Sequence, residues 1–125
     1  RQTTKFNGVS YVVQRAAVGV FSPDGQAQTR ESIEYYKRNA RCMTDTLDRL
    51  GIWYTGGKNS PYVWLRCPGN MDSWAFFDKL LHEAQIVGTP GEGFGQCGQG
   101  YFRFSAFSSH EDTQEAMARL ETLLR

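Results

Sequence analysis

An α+β fold is predicted by three features of the sequence: helical spacing of apolar residues up to Leu50, a switch after Gly51 to short β-rich runs bracketed by glycine and proline, and a β-β-α-β-β-α order from there on. That order gives a short mixed or antiparallel sheet with helices on one face, preceded by a buried helix and a long polar helix. With 125 residues, 40% of them hydrophobic, the chain has material for one compact core and hardly for two.

The elements follow in order. Ser10 is placed to cap a helix carrying Tyr11, Val12, Val13, Ala16, Ala17, Val18, Val20 and Phe21, apolar on nearly every side and therefore expected to be buried. Ser22 to Gly25, SPDG, reads as a turn, with Pro23 fixing φ. A long helix from about Gln26 to Leu50 is predicted by Ile33, Tyr36, Ala40, Met43, Leu47 and Leu50 at spacings of three or four, with Gly51 as its C-cap. Ile52 to Thr55 reads as a short strand and Gly56-Gly57 as a turn. Tyr62 to Cys67 is a second strand, between Pro61 and Pro68. Asp72 or Ser73 starts a helix through Ala84 with Trp74, Phe77, Leu80 and Leu81 inward, and Gln85 to Gly88 is expected as a third strand. Tyr101 to Phe107 makes a fourth. Ser108-Ser109 followed by Glu111 and Asp112 caps a terminal helix with Ala116, Met117, Leu120, Leu123 and Leu124 inward.

Charge excludes some partners. Fourteen basic against thirteen acidic residues leave a formal +1, without the basic excess of a protein held mainly by nucleic-acid phosphates. No apolar run approaches the roughly 18 residues of a membrane span, so no membrane and no nucleic-acid partner is expected, and the chain reads as soluble and intracellular. Cys42, Cys67 and Cys97 lack paired metal-ligand spacing and, with His82 and His110, form no metal constellation; reduced thiols are expected.

Two features carry chemistry. Residues 88–100 hold six glycines, and Gly93 to Gly98 formally matches GxGxxG. A dinucleotide fingerprint needs a helix immediately after it, whereas a strand follows here, so the loop reads as one requiring positive φ or close backbone approach, or contact with a ligand. The second feature is Arg103. Strand alternation puts Phe102, Phe104 and Ala106 on one face and Tyr101, Arg103, Ser105 and Phe107 on the other, so a guanidinium stands among rings. Such a cation needs a carboxylate or phosphate. An internal acid, Glu92 or Asp112, is one solution, and an anionic small molecule beside the glycine loop is the other. Asn7, before the first helix, makes an Asx turn with Gly8 or faces a site. The run Gly100 to Phe104 only partly matches an RNA-stacking strand, since bulky Phe102 stands where a small residue is wanted.

Four segments in this order, Phe6-Asn7-Gly8-Val9-Ser10, Gly56-Gly57-Lys58-Asn59-Ser60-Pro61-Tyr62-Val63-Trp64, Thr89 to Gly95 and Phe102-Arg103-Phe104-Ser105-Ala106-Phe107, resemble the C-terminal part of the LL-diaminopimelate aminotransferase family, fold-type I enzymes that use pyridoxal phosphate. The resemblance implies that residues 1–25 end a large-domain region, 26–50 form the linking helix and 51–125 the C-terminal small domain. It implies that Arg103 binds the substrate α-carboxylate and that Asn7 contacts cofactor and substrate across a homodimer interface with shared active sites. It also implies amino-acid and 2-oxo-acid substrates, lysine biosynthesis as the setting, and the bacterial cytoplasm or plastid stroma as the location. The family's Schiff-base lysine lies upstream of anything matched by Arg1, so the chain alone is expected to be inactive. Tyr11, Gln96 and Cys97 depart from the family pattern. Another class I aminotransferase, for aspartate, alanine or aromatic amino acids, and a non-enzymatic ligand- or RNA-binding module remain open.

Overall fold

The computed structural model describes residues 8–125; Asn7 lies outside them. Two compact units divide the chain, Arg1–Glu34 and Tyr35–Arg125.

In the first unit, α1 (Tyr11–Val18) continues into a 3₁₀ turn, Gly19–Phe21. Within this chain none of its residues is buried; Tyr11 and Val12 are 73% and 75% exposed, as is Phe21 of the turn at 77%. A helix apolar on every side needs cover on several sides. Ser22 to Gly25 is also not a free turn. Pro23 is the first residue of α2 (Pro23–Arg49), where its missing N–H costs nothing, and the Ser22 hydroxyl accepts the Gly25 N–H at 3.1 Å.

The second unit is built on a four-stranded sheet of β1 (Tyr54–Gly56), β2 (Tyr62–Arg66), β3 (Thr89–Pro90) and β4 (Tyr101–Ser105), in the order β1-β2-β4-β3. Every pairing is antiparallel, which decides between the mixed and antiparallel sheets the sequence allowed. Alternation sets the faces as expected. Val63, Leu65, Phe102 and Phe104 point inward and are buried, with Phe102 edge-on to Phe76 and Phe104 at 5.2 and 5.6 Å between ring centroids. Met43 and Leu47 of α2, Phe76 of α3 (Ser73–Lys79), Leu80, and Met117 and Leu120 of α4 (His110–Leu124) complete this core. The N-terminal caps are those the sequence supplies: Asp72 accepts from the Trp74 and Ala75 N–H groups, and Ser109 from Asp112.

The third strand differs from expectation. Leu80–Ala84 forms a π-helical turn, and Gln85 enters the left-handed region at φ 55°, so residues 85–88 cannot join the sheet. Pairing waits until Thr89 and Pro90, opposite Arg103 and Phe102. Proline is tolerated there because β3 is an edge strand, bonded on one side only.

A buried amide ties α2 to the β4 exit. Asn39 is fully buried; its Nδ2 donates to the Ala106 and Ser108 carbonyls at 3.1 and 2.8 Å, and its Oδ1 lies 2.8 Å from His110 Nδ1. These bonds fix where β4 ends and α4 begins.

All three cysteines are free thiols, as expected. Burial pushes the Cys67 thiol up to about 11, with Asp72 adding to the shift. Since the folded value lies above the ordinary 9.0, the fold favours the protonated thiol: this contribution to stability is intact below pH 9 and is lost as pH climbs through about 11. Native-state alkylation at neutral pH is accordingly expected to label exposed Cys97 first and to leave Cys67 unmodified, as peptide mass mapping will read. Rapid labelling of Cys67 in the folded protein contradicts the packing described.

Candidate functional site

The outer face of the sheet carries aromatic side chains around one cation. Trp64 stands opposite Arg103 in register, and Tyr62 opposite Ser105. Trp64 stacks on Tyr101 at 5.8 Å and meets Phe94 edge-on at 5.7 Å. The Arg103 Cζ atom lies 4.3 Å from the centroid of the Tyr62 ring and 4.7 Å from that of Phe94. Ring faces carry negative potential and partly compensate a cation.

Neither acid weighed as an internal partner reaches Arg103. Among the described residues no carboxylate forms an ion pair with it, and its side-chain hydrogen bond is to the Thr89 hydroxyl, at a long 3.5 Å from Nη2. Its Nε is buried without a hydrogen-bond partner. The guanidinium therefore keeps an unspent fork, which is what recognition of an outside anion requires. An open cavity of about 550 Å³ runs beside it, lined among others by Arg103, Thr89, Ser105, Asp112 and Arg119.

The glycine loop positions Phe94. Gly91–Phe94 and Gln96–Gly98 form two short 3₁₀ turns, so this GxGxxG is no phosphate cradle opening a helix. Its glycines serve a backbone crossing: a Cβ on Gly98 would stand 1.9 Å from the Gly91 carbonyl oxygen, and one on Gly91 would stand 2.3 Å from that of Gly98. Buried Ser73 fastens the crossing, its hydroxyl lying 3.1 and 2.8 Å from the Gly98 and Tyr101 carbonyl oxygens. Positive φ, at Gly95 (119°) and Gly100 (75°), and close backbone approach, at Gly91 and Gly98, are thus both met in this loop. Replacing Gly98 by alanine must push the crossing backbone segments away from each other, and a loss of about 1–3 kcal/mol is expected by urea unfolding, together with a shift in Phe94. Unchanged stability contradicts this crossing.

Of the expected site residues, Arg103 is at the centre of this arrangement, and Asn7 lies outside the described residues. Tyr62, Phe94 and Thr89 were not singled out from the sequence. Alternation along β2 puts Tyr62 on the same outer face as Trp64, but only register and the loop crossing bring these groups to Arg103. The described lysines Lys37, Lys58 and Lys79 do not line the cavity beside Arg103. No group of three or more His, Cys, Asp or Glu residues among those described is arranged to hold a metal ion. No described helix is long and apolar enough to cross a membrane.

Residues 1–120 match the family model described as aminotransferase class I and II. A curated LL-diaminopimelate aminotransferase from Azobacteroides pseudotrichonymphae genomovar. CFP2 is 52% identical over 99% of this chain and 31% of its own length. One from Prochlorococcus marinus (strain MIT 9211) is 53% identical over 98% of this chain and 30% of its own length. Among solved structures, an L,L-diaminopimelate aminotransferase from Chlamydomonas reinhardtii superposes with a TM-score of 0.90 at 37% identity, over 98% of this chain and 30% of that one. An aromatic aminotransferase from Pyrococcus horikoshii OT3 superposes at 0.80 with 28% identity, over 87% and 30%. The chain thus spans about 30% of the length of the relatives it matches. From the family match over nearly its whole length, the chain belongs to the class I and II aminotransferases.

Proposed function

We propose that this chain is the substrate-carboxylate-binding C-terminal part of a larger pyridoxal-phosphate-dependent transaminase, one that moves an amino group between LL-2,6-diaminopimelate and 2-oxoglutarate in lysine biosynthesis. The observation that carries the reading is Arg103, a cation with no internal carboxylate in a chain whose family handles amino acids. Whole-chain identities of 52% and 53% to LL-diaminopimelate aminotransferases favour this substrate. A class I aminotransferase for aromatic amino acids is the second reading, favoured by the superposition on the Pyrococcus horikoshii enzyme.

Arg103 binds the α-carboxylate of the amino acid, and of the 2-oxo acid in the reverse half, through a planar two-point contact that a point charge cannot reproduce. Holding the carboxylate fixes the direction of the substrate's Cα–H bond, and orientation of this kind is worth orders of magnitude in rate. Pyridoxal phosphate, when bound, supplies the electron sink. None of the described Lys37, Lys58 and Lys79 lines the cavity beside Arg103; on this reading the Schiff-base lysine and phosphate ligands come from the rest of the protein. Asn7 contributes to cofactor and substrate contacts, from the second copy of a homodimer. Residues 1–25 then end the large-domain region, 26–50 form the linking helix and 51–125 the small domain, in an enzyme of the bacterial cytoplasm or plastid stroma.

The test is absorbance of the complete protein loaded with pyridoxal phosphate, with LL-diaminopimelate and then an aromatic amino acid added. A spectral change with diaminopimelate and production of glutamate from 2-oxoglutarate support the first reading. A response to aromatic amino acids alone moves the assignment to the second, and no response to any amino acid removes both.

A further inference from the structure

The Arg103 guanidinium is held without a counter-ion. Its Cζ is 4.3 Å from the Tyr62 ring centroid and 4.7 Å from that of Phe94, and no described carboxylate pairs with it. Its Nε is enclosed and unpartnered, while Nη2 has only the long Thr89 contact. Rings and enclosure thus leave the Nη end of the fork free to bind. The two rings come from different places: Tyr62 projects from β2, a strand away, and Phe94 from a loop fixed by the Gly91–Gly98 crossing. Phe94 is itself anchored edge-on against Trp64 at 5.7 Å, and Tyr62 against Phe107 at 5.8 Å.

We infer that Tyr62 and Phe94 are positioning residues of the carboxylate site: their rings hold the Arg103 guanidinium in one plane, without a counter-ion, so that an incoming carboxylate meets the Nη edge end-on. The inference rests on the reading of Arg103 as the carboxylate-binding group. An acid in place of either ring would hold the cation equally well, yet it would compete with the substrate for the charge. Aromatic faces hold it through their quadrupoles and leave its hydrogen-bond donors unspent. A flexible aliphatic side chain would fill the same space without setting the plane.

The experiment uses the complete protein loaded with pyridoxal phosphate, assayed with LL-diaminopimelate and 2-oxoglutarate. Tyr62→Leu and Phe94→Leu are each expected to raise KM for both carboxylate substrates by about threefold to thirtyfold, the range of a partly desolvated cation–π contact, with cofactor absorbance and melting temperature retained. Tyr62→Phe and Phe94→Tyr are expected to restore near-parental KM, since a ring face remains. In an Arg103→Ala background the leucine changes are expected to add almost nothing, because the group they position has gone. The same KM factor with and without Arg103, or full loss in the ring-conserving variants, overturns the positioning role while leaving the Arg103 reading intact. An Arg103→Ala protein with unchanged KM for both substrates overturns the Arg103 reading itself, and this inference with it.

Discussion

On the proposed carboxylate-binding role, lysine in place of Arg103 is expected to lower kcat/KM of the complete protein for an amino-acid substrate by about 2–4 kcal/mol in transition-state terms, roughly thirtyfold to a thousandfold. The charge survives the change, so a site that needs only a cation would barely respond. What is lost is the planar fork and its fit against rings at 4.3 and 4.7 Å. An ammonium on a flexible stem offers a carboxylate one point of attachment, and rotation about that point releases the Cα–H bond from its reacting direction. KM is expected to rise for amino acid and 2-oxo acid alike, because each has a carboxylate beside the reacting carbon. Steady-state kinetics with both substrates, alongside a melting curve to establish folding, check this; kinetics equal to the parent would remove Arg103 from the site.

Phe102→Ala is expected to cost about 3–5 kcal/mol of stability, measured as a fall in urea midpoint at constant slope. Phe102 is fully buried, packed edge-on against Phe76 and Phe104. Gly88 passes so close that a Cβ there would fall 2.2 Å from Cε1 of this ring, so the ring is packed tightly on that side. Truncation leaves a cavity on the inner face directly behind β4, the strand that carries Arg103 on its outer face. Carboxylate affinity is therefore expected to weaken along with stability. Retention of full stability would mean that this side of the sheet is not the core.

Much of the fold was legible in local pattern. The three-and-four spacing through Met43 and Leu47 located α2 to within a few residues, and the alternation of Phe102 and Phe104 against Tyr101 and Arg103 assigned both faces of β4 correctly. Caps at Asp72 and Ser109 were equally local, since their acceptors and donors lie within three residues. Local rules reach their end where a distant constraint enters. Apolar residues around α1 predict burial, and what covers a helix is not written in its own sequence. The expected strand at Gln85 to Gly88 failed because the preceding helix closes through a π turn into a left-handed residue, which displaces sheet pairing to Thr89.

The sequence by itself determined which side of its strand Arg103 occupies and that glycines crowd the loop before it, because alternation and composition are properties of neighbours along the chain. Only the tertiary structure decided that rings from β2 and the loop, rather than Glu92 or Asp112, surround the cation. Which groups meet across tens of residues depends on strand register and on where two backbone segments cross, and neither is encoded in any short stretch of sequence.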